Sequence, residues 1–474
     1  MSDRNTSQYV LEKCEFNAVR GLKGGPVDLR LFVGEVSIFE SLLKPYLTCN
    51  IAMIDDRSYL TDRVQLQGSE TVEIKISGTR EEDADAHEIN LKFRVVKIVN
   101  QGKVNDKTSA YVLHCISESA FNDSFVKVSK SYHDNLEDIG EKVLKRYLNV
   151  DVLRDKPYWA DANDVSDQGP VKVVIPYLSP YHTLEWLMDR ATGEGGAPFF
   201  AFTSVFDNKP NKDAVRLGSF KTMVKEGIKK AGPELASPKR LQYRTFYFNQ
   251  TQVNSFDKPG YKKERGVIKS MKQVNLENTL RMVNHGAVGS RITNLDPFTS
   301  SKISRHHNLV DYLEYLTPEA GMFSTIIDKK DKVEIEGVEK LLPEHDARAK
   351  SLVTSYGTYG WNNSYHDTLR PQNLMNKTRK GTIVSMLYKN KIECTINGYN
   401  FQNRDLLRVG DIINVLFEKN NTEGDIGVIA RDHRRSGFYL ILEMSRTFIN
   451  NSSEVVVSIC KIADHQPKES QVSE

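Results

Sequence analysis

The strongest constraint on the fold is a two-residue alternation of apolar and polar side chains that recurs near both ends of the chain. In "YLTCNIAMIDD" every second residue is apolar, namely Leu47, Cys49, Ile51 and Met53. Thr48, Asn50 and Ala52 form the other side of this run, and Asp55-Asp56 ends it. A period of two is that of a half-buried β-strand. The stretch therefore predicts a sheet with one face against a core.

Further strands are predicted by the same pattern. It recurs in "ETVEIKIS", "INLKFRVVKIV" and "SEVVVSICKIA", with inward positions Val72, Ile74 and Ile76, then Ile89, Leu91, Phe93 and Val95, then Val455, Val457 and Ile459. In "GDIINVLFE" the apolar residues Ile412, Val415 and Phe417 do not alternate perfectly. Five or more short strands in the first 130 residues are typical of a sandwich or a barrel.

Helical spacing appears between the strand-rich ends. "DNLEDIGEKVLKRYL" has apolar residues on one helical face, and Asp134 is placed to cap its N-terminus. A second helix is predicted in "PYHTLEWLMDRA". The stretch "TGEGGAP" that follows lacks the GK[ST] ending of a phosphate loop and comes after a helix rather than a strand. It is predicted to be a helix C-cap and a turn.

The predicted fold class is α+β and β-rich, with a β-module at each end and mixed structure between them. The predicted parts are 1–130 (first β-module), 131–206 (helix-containing connecting domain), 207–375 (elaborated mixed region), 376–465 (second β-module) and 466–474 (flexible polar tail). Within 207–375, lysine-rich loops alternate with the strand-like "LQYRTFYFNQTQV" and the helical "HNLVDYLEYL". Another helix is predicted in "LRPQNLMNKTRKGTIVSMLYKN".

Composition excludes several classes of protein. The chain has 474 residues, 39% of them hydrophobic and 27% charged, with a net charge of +3, which argues against a dedicated nucleic-acid or membrane-surface protein. Its N-terminus lacks the apolar core of a signal peptide, and no apolar run has the length of a membrane span. The five cysteines are scattered and form no CxxC pair, which favours a reducing compartment: Cys14, Cys49, Cys115, Cys394 and Cys460.

The histidines do not predict a metal site. His306 and His307 are adjacent and would point to opposite faces of a strand, and no further ligand stands three or four residues away. His285 and His433 lie far from this pair in sequence. We therefore expect no metal or cofactor.

Charged clusters do not predict catalysis either. Asp55-Asp56 and the acidic loop Glu81 to Asp85 are interpreted as solvated faces, because a hydrolase needs two carboxylates held apart in a cleft. In "ARDHRRSG", Arg431, Arg434 and Arg435 could contact phosphate or an acidic partner, or could be an ordinary hairpin tip. Both interpretations stay open. The sequence thus names no catalytic, cofactor-binding or metal-binding residue, and we expect a protein that is not an enzyme.

Four segments, in this order, resemble the central hub proteins of phage baseplates and the related base of type VI secretion spikes. They are "VGEVSIFESLLKPYLTCNIAMIDDRSYLTDRVQLQGSETVEIKI", "HCISESAFNDSFVKVSKSYHDNLEDIGEKVLKRYL", "VVIPYLSPYHTLEWLMDRATGEGGAPFFAFTS" and "NGYNFQNRDLLRVGDIINVLF" with "SGFYLILEMSRTF" and "SEVVVSICKI". They cover roughly half of the chain, and the resemblance thins over 207–375, where "NHGAVGSRITNLDPFT" alone echoes the family.

The resemblance implies that each β-module is a barrel-like tube domain. It also implies a homotrimer whose six tube domains form a pseudo-sixfold ring, which joins a hexameric tail tube to a trimeric central spike. The implied partners are the spike, tail tube or tube-initiator proteins and baseplate wedge proteins, with DNA passing transiently through a channel and no membrane contact. The implied location is the virion baseplate, assembled in the host cytoplasm.

Three alternatives remain at this point. The chain could be the hub or spike base of another contractile injection system. It could be a tail-associated host-binding β protein, although its loops are rich in Lys, Asp and Gly rather than aromatic residues. A cell-wall hydrolase would need a separate domain with a catalytic carboxylate, and no such insertion is evident.

Overall fold

The fold is described by a computed structural model. It describes residues 8–17, 25–56, 58–78, 88–103, 108–154, 169–193, 196–231, 244–248, 267–273, 289–297, 300–307, 332–335, 337–341, 348–353, 371–389, 391–398, 407–417, 432 and 435–464. Strands dominate these residues and helices accompany them, so the predicted α+β, β-rich class is confirmed.

Seven strands make up the N-terminal part, which we call the first module. They are β1 (Tyr9–Asn17), β2 (Val27–Asp28), β3 (Val33–Ser41), β4 (Thr48–Asp56), β5 (Thr71–Gly78), β6 (Ile89–Lys103) and β7 (Thr108–Ser117). The predicted alternation is confirmed, because Cys49, Ile51 and Met53 in β4 are fully buried while Thr48, Asn50 and Ala52 are partly exposed. The positions predicted to face inward in β5 and β6 are likewise buried.

The next part mixes helices with short strands. Its elements are α1 (Glu118–Asp123), β8 (Ser131–Asp134), α2 (Leu136–Leu148), β9 (Asp151–Leu153), β10 (Val171–Val174), α3 (Pro180–Met188), β11 (Phe199–Phe202), β12 (Ala214–Ser219) and α4 (Phe220–Ala231). Helices α2 and α3 confirm the predicted pair.

Asp134 is not the N-cap of α2, as the sequence suggested. It is the last residue of β8, where it pairs with Val171, and Asn135 occupies the N-cap. The Asp134 carboxylate instead accepts a hydrogen bond from the backbone N–H of Asn135 at 3.0 Å and forms an ion pair with Lys142. Strand pairing of β8 therefore shifts the start of the helix by one residue.

The C-terminal part contains the remaining elements. They are β13 (Thr245–Phe248), β14 (Ile268–Gln273), β15 (Ser290–Asp296), β16 (Ser301–His307), β17 (Lys332–Ile335), β18 (Val338–Leu341), β19 (Arg348–Val353), α5 (Pro371–Lys389), β20 (Lys391–Asn397), β21 (Ile412–Phe417), β22 (Gly437–Ile449) and β23 (Ser452–Asp464). Helix α5 confirms the helical prediction there. The predicted helix in "HNLVDYLEYL" lies outside the described residues apart from His307, which ends β16.

One sheet joins the two ends of the chain. Its strand order is β14-β20-β23-β22-β3-β4-β7-β6-β5-β1-β2, with β21 beside β22 and β13 beside β21. We call β13, β14 and β20 to β23 the second module. Strand β22 is the link, because it pairs with β21 through Gly437–Leu440 and with β3 through Glu443–Ile449. β3 and β22 are separated by about 400 residues in sequence.

Three hydrophobic clusters form the core. The cluster of each terminal module contains an apolar side chain that belongs to the other terminal module. Phe448 of β22 packs in the cluster of the first module, together with Cys49 and Phe93. Leu42, which follows β3, packs in the cluster of the second module with Phe202 and Ile441. The third cluster lies between α2, α3 and their neighbouring strands. Each terminal module is therefore completed by an apolar side chain from the other.

Closed barrels stay a prediction. The main strand path among the described residues ends at β14 and at β2, and the branch through β21 and β13 comes back to the start of β14 only through a bridge between Tyr247 and Val267. A single bridge between Gln8 and Ser452 brings the start of β1 to the β22–β23 hairpin. The proposed domain limits also remain predictions.

Candidate functional site: the strand junction between the two modules

The junction is a ladder of seven residue pairs. It runs from Glu443 opposite Ser41 to Ile449 opposite Glu35 in antiparallel register. Beyond it, the backbone N–H of Leu42 donates to the carbonyl of Leu442 at 2.9 Å. An edge strand of each module is thereby covered by the other, which removes two unpaired edges that would otherwise be open to other chains.

A buried ion pair lies on the core face of this ladder. Arg446 Nε donates to Glu40 Oε1 at 3.1 Å, and both side chains are almost fully buried. The arginine also donates through Nη2 to the carbonyl of Leu407 at 2.7 Å. Burial raises the pKa of Glu40, and the neighbouring guanidinium opposes that rise. Two charges are therefore held inside the protein where the modules meet.

A short segment from the connecting part completes this site. The backbone N–H of Val205 donates to Glu40 Oε1 at 3.3 Å, and the ring of Phe206 lies 4.8 Å from the Arg446 guanidinium carbon. The next residue, Asp207, forms a buried ion pair with Arg216. The first module, the second module and the connecting part therefore meet around one ionic group.

A second buried pair lies close by in the second module. Arg244 Nη1 is 3.2 Å from Asp411 Oδ1, and both side chains are buried. The other carboxylate oxygen of Asp411 accepts a hydrogen bond from the backbone N–H of Arg408 at 2.8 Å. Arg408 Nε lies 3.8 Å from Asp207 Oδ1, so this pair is continuous with the junction.

The opposite face of the ladder carries hydroxyl groups and one carboxylate near its centre, where Ser37 Oγ donates to Glu35 Oε1 at 2.7 Å. Ser37 and Thr447 face each other there with their hydroxyl oxygens 3.0 Å apart. On the neighbouring strands, Asn50 Oδ1 lies 2.5 Å from His114 Nδ1. We call the hydroxyl and amide positions Ser37, Thr48, Asn50, Ser445 and Thr447 the open-face strip.

The lysines and glutamates of β1 and β5 on the same side of the sheet lie farther out and are paired. Lys13 is 2.9 Å from both Glu15 and Glu73, and Lys75 is 2.7 Å from Glu12. The bond from Lys75 lowers the pKa of Glu12. Opposite charges thus neutralise each other locally on strands β1 and β5. These two strands therefore offer no row of unpaired cations that would bind phosphate groups.

The arginines of "ARDHRRSG" are only partly described. Arg431, Arg434 and His433 lie outside the described residues. The side chain of Arg435 is mostly exposed, with Nε 3.8 Å from Asp432 Oδ2, and its backbone N–H donates to Asp432 Oδ1 at 3.1 Å. A contact of these arginines with a partner remains a prediction.

The histidine pair lies on opposite faces of a strand, as predicted. His306 is exposed, whereas His307 is buried and accepts a hydrogen bond from Arg379 Nε at 3.3 Å. Burial, together with the nearby guanidinium, lowers the pKa of His307 to about 3. His285 lies outside the described residues. No group of three or more His, Cys, Asp or Glu side chains with metal-binding geometry occurs in the described part of the chain.

Two loop predictions need correction. Asp55 is not on a solvated face: it is fully buried and its Oδ1 accepts a hydrogen bond from the backbone N–H of Leu60 at 3.0 Å. Asp56 beside it is exposed, and the loop Glu81 to Asp85 lies outside the described residues. "TGEGGAP" does not cap α3, since that helix already ends at Met188. Among the described residues of the stretch, the N–H of Gly193 donates to the carbonyl of Ala197 at 2.7 Å.

All five cysteines are buried and free. Burial raises the pKa of the Cys14 and Cys460 thiols to about 12, so these groups are inert as nucleophiles at neutral pH. Among the helices of the described residues, none combines the length and apolar character needed to cross a membrane.

Glu40 and Arg446 did not stand out in the sequence. Each is a charged residue on the buried side of an alternating strand, in line with Val36 and Ile38 in one case and with Met444 and Phe448 in the other. A charge at such a position is the signal that would have found them, because a buried charge needs a partner.

Comparison with known proteins gives structural neighbours only. No family model matches the chain, and no curated protein matches it. The structure is similar to a tail protein of Neisseria meningitidis, with 12% identity, coverage of 96% of this chain and 97% of the other, and a TM-score of 0.48. It is also similar to the 43 kDa tail protein of a Shewanella oneidensis prophage, with 9% identity, coverage of 95% and 98%, and a TM-score of 0.47.

A third neighbour belongs to another system. It is an Escherichia coli component of the type VI secretion system with structural similarity to T4 bacteriophage tail proteins, at 8% identity, coverage of 95% of this chain and 79% of the other, and a TM-score of 0.38. Phage tail proteins and type VI secretion components are the groups that the sequence segments resemble.

Proposed function

We propose that this chain is the structural hub of a contractile-tail baseplate and has no enzymatic role. The main support is the β3–β22 junction, which joins two β-modules edge to edge within one chain. Three copies would supply six modules, so a threefold ring could present a sixfold face to a tail tube and a threefold face to a spike.

The free edges of the sheet suggest how copies would join. Among the described residues, the main strand path ends on one side at β2 with residues 10–13 of β1, and on the other at β14, whose start is bridged to β13 through Val267 and Tyr247. Such edges carry unpaired backbone groups that can pair with a strand of another chain. In the proposed homotrimer, the β1–β2 edge of one copy is the more open of the two and meets a neighbouring copy.

The open-face strip would line the channel of this ring. Its hydroxyl and amide groups have no net charge, the adjacent carboxylate of Glu35 would repel phosphate, and the lysines of β1 and β5 farther out are paired with glutamates. DNA passing such a surface would meet few cations that bind phosphate. The partners in this proposal are the spike, the tail tube or its initiator, and the wedge proteins, in a virion baseplate assembled in the host cytoplasm.

The mass of the purified chain in solution tests this proposal. Light scattering after size exclusion should give a trimer, either for the chain alone or after co-expression with the trimeric spike. Val10 on the free half of β1 is 46% exposed, so V10K should reduce the trimer fraction at a given concentration by adding a charge to the edge. F125K, at a residue 74% exposed in the segment after α1, is the matched control and should leave that fraction unchanged.

Two results would contradict it. One is a monomer under every condition, including co-expression with the spike. The other is an equal loss of trimer in V10K and F125K, which would place the contact elsewhere than the sheet edge.

A further inference from the structure

The buried pair at the junction is poorly arranged for stabilising the fold. Glu40 Oε2 and Arg446 Nη1 are buried and make no hydrogen bond within the described part of the chain. The two side chains share one hydrogen bond rather than the two of a bidentate pair. Replacing a buried ion pair of this kind by apolar side chains is often neutral or stabilising. A contribution other than net stability is therefore expected of this pair.

The apolar pattern of the junction does not define its register. On the core face, both strands carry apolar residues at every second position around the pair: Val36 and Ile38 on β3, and Leu442, Met444 and Phe448 on β22. A slip of two residues would keep these side chains on the core face, because the side-chain period of a strand is two. The alternation of apolar residues alone therefore does not distinguish the native pairing from its two-residue neighbours.

The ion pair by itself does not exclude a slip, because Glu40 faces Met444 and Arg446 faces Ile38, and a two-residue slip in one direction would set the two charges directly opposite each other. The contacts that the two residues share with a third segment do discriminate. Glu40 on β3 and Arg446 on β22 both contact the same two-residue segment, Val205 through its N–H and Phe206 through its ring. A two-residue slip moves one strand past the other by about 6.6 Å, which exceeds the reach of a hydrogen bond. Such a slip in either direction would pull at least one of the two charged side chains away from this segment.

We propose that Glu40 and Arg446 are the register determinant of the junction: they select β22 of the same chain, in one alignment, as the partner of β3. Their contribution is to pairing specificity rather than to net stability. This inference rests on the observed junction and does not depend on the hub function.

Engineered cysteines can report the register. Ser37 lies directly opposite Thr447, and directly opposite residues are close enough for a disulfide. After a slip of two residues, Ser37 would face Ser445 in one direction or Ile449 in the other. In the native alignment these are diagonal neighbours about 7–8 Å away, beyond disulfide reach. The native cysteines are buried and do not compete.

The experiment compares the full-length chain with E40M/R446M, each carrying S37C/T447C, S37C/S445C or S37C/I449C. Oxidised samples are analysed on non-reducing gels and by mass spectrometry of the linked peptides. In the parent, only S37C/T447C should cross-link within one chain. In E40M/R446M, that product should decrease while slipped or interchain products appear, and the denaturant midpoint should be equal to or above that of the parent.

Two controls separate register from stability. I38M/M444L changes the apolar pair beside the ions and should keep the parent cross-links. R446M alone leaves Glu40 buried without its counter-charge and should lower the unfolding midpoint.

The proposal is overturned if E40M/R446M gives the parent cross-links, or if its midpoint falls without a change in register. If E40M/R446M fails to fold, the same cross-linking experiment is carried out on R446K. Lysine keeps the charge but lacks the planar fork that reaches both Glu40 and the Leu407 carbonyl. Slipped products in R446K would support the proposal, and the parent pattern would refute it.

Discussion

The stability of the fold should depend on pH through Glu40, and the sign of that dependence follows from the burial of its carboxylate. Its pKa is raised mainly because the carboxylate is desolvated, so the folded chain holds the proton more tightly than the unfolded chain. The stability from this proton is complete below pH about 4.3 and is lost as pH rises through the raised native pKa. E40Q cannot ionise. We therefore expect the parent to lose stability relative to E40Q as pH rises, measured as denaturant midpoints from pH 4 to 8.

Glu12 supplies the matched control for this measurement. Its pKa is lowered, chiefly by the bond from Lys75, so the opposite sign applies. Stability from its ionised form is present above the ordinary pKa and is lost as pH falls through the lowered one. The parent should therefore gain stability relative to E12Q as pH rises. The stability difference between parent and variant should change with pH in opposite directions for E40Q and E12Q. If it changes with the same slope for both, burial does not disfavour the charged form of Glu40.

Gly437, at the start of β22, is a position where no side chain fits. A Cβ added there would lie 2.3 Å from the carbonyl oxygen of Ala463 on the paired strand, and its φ of +156° is one that other residues rarely adopt. G437A should therefore destabilise the chain by about 1–3 kcal/mol, the usual cost of overpacking. G102A is the control, because a Cβ at that position in β6 meets nothing within 4 Å. Equal unfolding midpoints for the two variants would refute this explanation.

At the scale of elements, periodicity predicted what is local. Strands β4, β5, β6 and β23 and helices α2, α3 and α5 follow from residues adjacent in sequence. Helix α4 did not stand out from the lysine-rich stretch around it. The pairing of β3 with β22 joins residues about 400 apart, and no local pattern encodes that distance. The sequence predicted no site residue, and the charges that it brought into consideration lay in loops, whereas the junction uses charges inside strands.

Helix α5 contains a glycine that weakens it without serving its packing. Gly381 lies in the middle of the helix, is exposed, and has nothing within 4 Å of where a Cβ would be. Alanine is favoured over glycine in helix interiors by about 0.8–1.0 kcal/mol. G381A should therefore raise the unfolding free energy by about that amount in denaturant titrations. A decrease would show that the backbone near residue 381 needs the freedom of glycine.

At the scale of the molecule, exchange of Leu42 and Phe448 couples the two modules. Phe448 belongs to β22, yet it packs in the first module, where its ring lies 5.1 Å from that of Tyr9. F448A should cost about 3–5 kcal/mol as a buried truncation. Hydrogen exchange should show weaker protection in β4 and β7 of the first module as well as in β22 and β23. F125A, at an exposed ring, should change neither the unfolding free energy nor the exchange protection. If F448A weakens protection only in β22 and β23, the modules unfold independently.

The open-face strip leads to a prediction about transport, which rests on the proposed function. Ser445 and Thr447 lie side by side on that face of β22, and arginine there would add cations to a surface whose nearby charge is the carboxylate of Glu35. Cations bind DNA phosphates, and salt weakens that binding. Phages carrying S445R/T447R should therefore assemble normally but deliver DNA more slowly, and the defect should diminish at higher ionic strength.

Glutamine at the same positions separates charge from size. S445Q/T447Q adds comparable bulk without charge, so it should deliver DNA faster than the arginine variant if the strip lines the channel. Particle counts by electron microscopy report assembly independently of delivery. If both variants assemble and deliver DNA equally at every salt concentration, the strip does not face the DNA, whether or not the chain is a hub. If neither assembles, the open face is a packing surface, and the channel must be lined by other residues.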